Sequence, residues 1–147
     1  MITWNPTYSV QYVEIDQQHQ KLLALLGELE TAMLEGRGAE ILGNTLDQVL
    51  EYTDYHFSTE EGLMSTHRYP NTELHLAQHE EFKAHALELH QQYAAGQRAL
   101  AIDTLTFLCE WMLYHILSTD KEFGSFLSAK GVGTQNVTVQ REKSYTL

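Results

Sequence analysis

Four runs of apolar residues recur at helical spacing along this chain, each stopped by glycine or proline. That pattern leaves little room for any fold but a helical bundle. The first stripe reads His19, Leu22, Leu23, Leu26, Leu29 and Met33, with Asp16 placed as an N-cap and Gly36 and Gly38 at its end. The second reads Leu42, Leu46, Val49, Tyr52, Thr53, His56, Glu60 and Leu63. It stops near His67-Arg68, because Tyr69 precedes Pro70 and is steered away from helical backbone. A third stripe, capped by Asn71 or Thr72 and closed by Gly96, carries His75, His79, Phe82, Ala86, Leu89 and Tyr93. The fourth carries Leu105, Leu108, Met112, His115, Ile116, Thr119, Phe123 and Phe126, and Gly131 ends it. The pattern predicts helices near 17–36, 39–67, 72–94 and 98–129. Short loops between them imply an all-α, up-down antiparallel four-helix bundle.

Two flanks complete the predicted organisation. An N-terminal arm with Trp4, Tyr8 and Tyr12 is aromatic enough to pack on the bundle. Residues 1–130 are expected to form one bundle domain, long enough for a single core. The tail 131–147 is polar, with brief alternation at Val137 and Val139, and reads as a disordered or docking segment.

Composition narrows the function classes. A net charge of −11 with only 9 Lys+Arg argues against a nucleic-acid surface or an acidic membrane as partner. The single Cys109 has no partner for an intramolecular disulfide and reads as a small core residue. The start Met1-Ile2-Thr3-Trp4-Asn5-Pro6 lacks the features of a signal peptide, and no apolar stretch is expected to approach the roughly 20 residues of a membrane span. A cytoplasmic protein is expected.

The histidines carry the chemistry. His56 and Glu60 are four apart on the second stripe, and His75 and His79 are four apart on the third. At that spacing each pair shares one helix face and closes on one point. His19 and His115 lie on the inward stripes of the remaining helices. Each polar group buried without a partner costs on the order of 1–3 kcal/mol, so such a group converging on a bundle core calls for a metal. Asp120 is five after His115. In a straight α-helix that leaves the two about 140° apart, and a π-bulge would bring them together. Seven candidates exceed the four ligands usual for one zinc. Neither a His-Glu-x-x-His motif nor the Glu-x-x-His of carboxylate-rich di-iron bundles occurs.

These segments resemble the hemerythrin family, specifically its single-domain bacterial members. The resemblance runs from about Trp4 to Gly131. It rests on Ile15-Asp16-Gln17-Gln18-His19, His56-Phe57-Ser58-Thr59-Glu60-Glu61, His75-Leu76-Ala77-Gln78-His79 and Trp111-Met112-Leu113-Tyr114-His115 followed by Asp120. It implies a non-haem di-iron centre, with a bridging oxo or hydroxide, that binds O2 reversibly for storage, delivery or sensing. It also implies roles: His75, His79 and His115 on one iron, His19 and His56 on the other, and Glu60 and Asp120 bridging. Leu23, Phe57, Trp111, Met112 and Ile116 would enclose the O2 pocket. Met112 stands where family members often carry leucine, which bears on the shape of that pocket. His67, His85 and His90 match nothing in the family pattern and read as solvated or interfacial. Two other functions stay open: a di-iron enzyme acting on peroxide or nitric oxide, and a metal-holding or partner-docking module.

Overall fold

The computed structural model describes residues 2–37 and 39–132, and these contain helices and turns with no strand. Its helices are α1 (Val13–Leu34), α2 (Ala39–His67), α3 (Thr72–Ala94), α4 (Arg98–His115) and α5 (Lys121–Ala129). A five-residue π turn, Ile116–Asp120, joins α4 to α5 without a break, so these three pieces form one long fourth arm. Each arm packs on its two sequence neighbours, α1 with α2, α2 with α3, α3 with α4 and α4 back on α1, which closes the up-down bundle. Gly36 and Gly96 take the left-handed backbone (φ +67° and +73°) that turns the chain after α1 and α3. After α2 the same role falls to Arg68, at φ +53°, ahead of the Tyr69-Pro70 pair. The expected stop at Gly38 and the tail residues 133–147, with Val137 and Val139, lie outside the described residues.

The start of α1 differs from the expectation. Tyr12 occupies the N-cap position with no side-chain cap, and Asp16 lies one turn inside the helix. Its carboxylate reaches back instead, accepting from the Val10 N–H at 2.8 Å and from the Ser9 hydroxyl. Asp16 is a hook for the N-terminal arm, not a cap. The arm does pack on the bundle: Trp4 sits edge-on to Tyr8 (5.7 Å) and both lie against the main core. Val10 crosses α5 at Gly124, where any Cβ would collide with the Val10 carbonyl. At α3 the cap position is Asn71, as expected, yet its amide donates to Glu122 and leaves the helix end uncapped.

The apolar residues form two clusters. The larger gathers Leu22, Leu26, Leu29, Leu46, Leu89, Leu105 and Leu108 with their neighbours, and Cys109 is buried within it, as its reading as a core residue requires. The smaller gathers Val10, Ile15, Met64, Tyr69, Phe123 and Leu127. One expectation needs correcting: the arm Arg98–Ala129 is, among the described helices, long and apolar enough to cross a membrane by length and composition. Its Leu105, Leu108, Met112, Ile116, Phe123 and Leu127 are buried inside the bundle, on the face that also carries His115 and Asp120. Polar residues interrupt the run, so no uninterrupted stretch shows it.

Candidate metal centre

Between the two clusters, every arm contributes buried polar side chains. The order is Ile15, His19, Leu22 on α1 and Phe57, Glu60, Met64 on α2, with His56 one residue before Phe57. It continues as Tyr69 in the turn before α3 and His75, His79, Phe82 along α3, and as Met112, His115, Ile116, Asp120, Phe123 along the fourth arm. All seven sequence-derived candidates (His19, His56, Glu60, His75, His79, His115 and Asp120) are at most 1% exposed.

The π turn solves the register of Asp120. The Lys121 N–H bonds to the Ile116 carbonyl, a five-residue step, and the Ser118 hydroxyl donates to the Tyr114 carbonyl at 2.6 Å. One extra residue in the turn brings Asp120 back beneath His115, with Oδ1 3.1 Å from His115 Nε2. The expected bulge is present.

The seven residues fall into two groups that share their carboxylates. Glu60, His75, His79, His115 and Asp120 form one; His19, His56, Glu60 and Asp120 form the other. Within each, one donor atom per residue lies within 4.8 Å of every other. Asp120 divides its oxygens between them: Oδ1 lies 3.0 Å from His75 Nε2, and Oδ2 lies 3.0 Å from His19 Nε2. Glu60 Oε1 is 3.1 Å from His79 Nε2 and 3.5 Å from His56 Nε2, while its Oε2 is 4.0 Å from His19 Nε2. Two donors each about 2.1 Å from a metal and at right angles to one another stand about 3.0 Å apart, so the shorter spacings suit ligands of a common ion.

A second shell fixes which imidazole nitrogen faces inward. Gln18 donates to Thr59 through its amide nitrogen (3.2 Å), and Thr59 in turn donates to the Tyr55 carbonyl. That orients Gln18 Oε1 toward His56 Nδ1 at 2.8 Å. Gln78 Oε1 faces His115 Nδ1 (2.7 Å) and also accepts from the Thr119 hydroxyl within the π turn. Glu61 Oε2 faces His79 Nδ1 at 2.9 Å. An acceptor behind Nδ1 requires the proton there, leaving the Nε2 lone pair aimed at the carboxylates.

That arrangement could hold a cation. The Nε2 atoms of all five histidines and all four oxygens of Glu60 and Asp120 lack a hydrogen-bond partner among the described residues. Burial drives the pKa of His56 down to about 4, so its bare Nε2 faces Glu60 as lone pair against lone pair. Glu60 is held at about 2: burial and Asp120 push it up, but His56, His75 and His79 outweigh them. Asp120 lies well below the usual carboxylate value, where His115, His19 and His75 outweigh its burial. For His75, burial is likewise outweighed by Asp120 and Glu60, which raise it to about 10. The donor set of neutral imidazoles and anionic oxygens fits a transition metal.

Of the five pocket residues read from sequence, Leu23, Phe57, Met112 and Ile116 are fully buried. Phe57 stacks on His79 (3.8 Å, 6°), and the half-buried Trp111 stacks on His115 (4.6 Å, 12°). His67, His85 and His90 stay outside both groups; His85 packs on Phe107 at 4.6 Å. The sequence reading missed Gln18, Gln78, Glu61, Thr59 and Thr119, none of which has ligand spacing.

A four-helix bundle with buried histidines from every arm and two shared carboxylates is an architecture that could hold metal. The Hemerythrin HHE cation binding domain matches residues 10–127, and the chain belongs to that family. It is 28% identical over 130 residues to the bacteriohemerythrin of Methylococcus capsulatus, covering 88% of this chain and 98% of that protein. It is 29% identical over 129 residues to the bacteriohemerythrin of Stenotrophomonas maltophilia, covering 88% and 83%. A crystal structure of wild-type hemerythrin superposes with a TM-score of 0.79 at 26% identity, covering 87% of this chain and 98% of the other.

Proposed function

We propose that the chain holds two iron ions and binds O2 reversibly between its helices, for storage, delivery or sensing, in the cytoplasm. The observation that carries this reading is the unequal division of donors. His75, His79 and His115 with the shared Glu60 and Asp120 offer five ligands to one ion, while His19 and His56 with the same carboxylates offer four to the other. The first ion would thus be held by one more protein ligand than the second, which would leave the second the more open to O2. Five protein ligands exceed zinc's usual four, which favours iron among metals that accept imidazole. When bound, the iron pair supplies reversible electron donation to one O2.

The protein's own part is enclosure and orientation. Gln18, Gln78 and Glu61 set the histidine tautomers, and Asp120 and Glu60 span both positions. Phe57, Met112, Ile116 and Leu23 are fully buried and would keep water out of the layer that holds the metal.

Metal analysis followed by anaerobic reduction and optical spectra through repeated cycles of O2 and inert gas tests this reading. The expected result is two irons per chain and a spectrum that returns after each cycle. Consumption of peroxide or nitric oxide well beyond one equivalent per site would establish the enzyme instead. Azide added to the oxidised protein should bind the ion held by His19 and His56. Azide on the other ion, or bridging both, would overturn the assignment of roles.

A further inference from the structure

Three of the five inward-facing imidazoles are held from behind, and only one is held by an anion. His56 and His115 meet the neutral amides of Gln18 and Gln78, whereas His79 meets the carboxylate of Glu61 at 2.9 Å. Among the described residues, the Nδ1 atoms of His19 and His75 have no such partner. The His79 ring is doubly determined. Phe57 fixes its plane by stacking at 3.8 Å, and Glu61 fixes its rotation within that plane. Glu61 follows Glu60 on α2, so a step of about 100° around the helix turns it from the core to the edge of the site. There its side chain is 31% exposed, which spares the carboxylate most of the burial that Glu60 undergoes.

We propose that Glu61 is a positioning residue that sets the electronic inequality of the two metal positions. This rests on the di-iron reading above. An imidazole N–H donating to a carboxylate becomes a stronger electron donor through its other nitrogen. The added negative charge also favours the more highly charged oxidation state of a nearby ion. Both effects fall on the ion held by His75, His79 and His115 and not on its neighbour. Glu61 thereby biases that position toward ferric iron, while the position of His19 and His56, which has no carboxylate behind its imidazoles, stays easier to keep ferrous.

The test uses the full chain as wild type, E61Q, E61A and Q78E, with circular dichroism as a control for folding. Glutamine keeps an acceptor oxygen behind His79 and removes the charge, alanine removes both, and Q78E adds a carboxylate behind His115. Fe²⁺ affinity is measured by chelator competition, and midpoint potential by titration with dithionite and ferricyanide. E61Q should still take up two irons, with its preference for ferric over ferrous iron reduced about tenfold, a rise of 59 mV for a one-electron couple. E61A should in addition lose about 10–100-fold in Fe²⁺ affinity, the usual effect of removing such a partner. Q78E should shift the potential the opposite way, which a purely structural role for Glu61 does not predict. A wild-type potential in E61Q, or wild-type affinity in E61A, would overturn the inference while leaving the di-iron reading intact. A wild-type chain that takes up no iron would overturn both.

Discussion

The two halves of the bundle interior are held together by opposite means. Around Leu26, Leu29, Leu46, Leu89 and Leu105 the arms meet through side chains that carry no polar atom, and burial alone drives their association. A few turns away, the same four arms turn five imidazoles and two carboxylates inward, with nine donor atoms facing one another unpaired. The first region assembles itself from the polypeptide. The second is a cluster that could hold a metal. The contrast teaches that this bundle has room to tolerate its site, because the apolar region supplies burial that needs no metal.

The sharpest way to break this comparison is to strip the metal. Saturating metal at a thousandfold over its dissociation constant adds about 4 kcal/mol to the folded state. At roughly 2–4 °C per kcal/mol for a domain of this size, the holo protein should melt about 10 °C or more above the chelator-treated form. Equal melting temperatures in calorimetry would mean that the site layer stands without help.

Leu105→Ala attacks the other half. Leu105 is 2% exposed, so the cavity should cost about 2–5 kcal/mol in urea unfolding. The loss should be similar with and without metal, and metal content should stay at the wild-type level. A loss confined to the holo form would show that the halves are not independent.

Acidity should pull the two forms apart. In the metal-free protein His75 is raised to about 10, so at neutral pH it is protonated, and metal uptake must expel that proton. Its contribution to metal-free stability is complete below its ordinary value of 6.5 and is lost as pH rises through about 10. Glu60, depressed to about 2, contributes above 4.5 and loses its share as pH falls through about 2. Metal affinity should therefore climb toward pH 10 while metal-free stability declines. Proton release in a pH-stat titration with Fe²⁺ checks the first point, and no release at pH 7 would contradict it.

The smallest expected effect is at Thr119→Val, which removes one of the two donors on Gln78 Oε1. The fold should be unaffected, and metal affinity should drop about tenfold by chelator competition. An unchanged affinity would restrict the clamp to the Gln78–His115 bond.

His56, Glu60, His75 and His79 were readable from sequence by two traces at once, polarity where the period demands apolarity and a spacing of four; His19 and His115 show only the first, and Asp120, five after His115, stood out through the family resemblance. Gln18, Gln78 and Glu61 leave neither trace. Each adjoins a candidate ligand in sequence, yet the imidazole it holds sits 38, 37 and 18 residues away on another arm. Only the packing of the arms reveals the pairing. The start of α1 was misread for a related reason. Asp16 has the chemistry of a cap, but the groups that need its oxygens belong to the arm before the helix, and sequence does not show where that arm turns back.

The π turn at Ile116–Asp120 has a consequence beyond Asp120. A helix is a screw thread, and one added residue slips the thread by about 100° for everything that follows. Leu127 owes its inward direction to that slip, taking the place that the unshifted period gave to Phe126, and Gly124, over which the N-terminal arm crosses, owes its place to it too. The metal layer, the small apolar cluster and the seat of the arm are thus indexed by a single inserted position. A lineage that deleted it would misalign three features in one step, and no substitution at Asp120 alone could realign them.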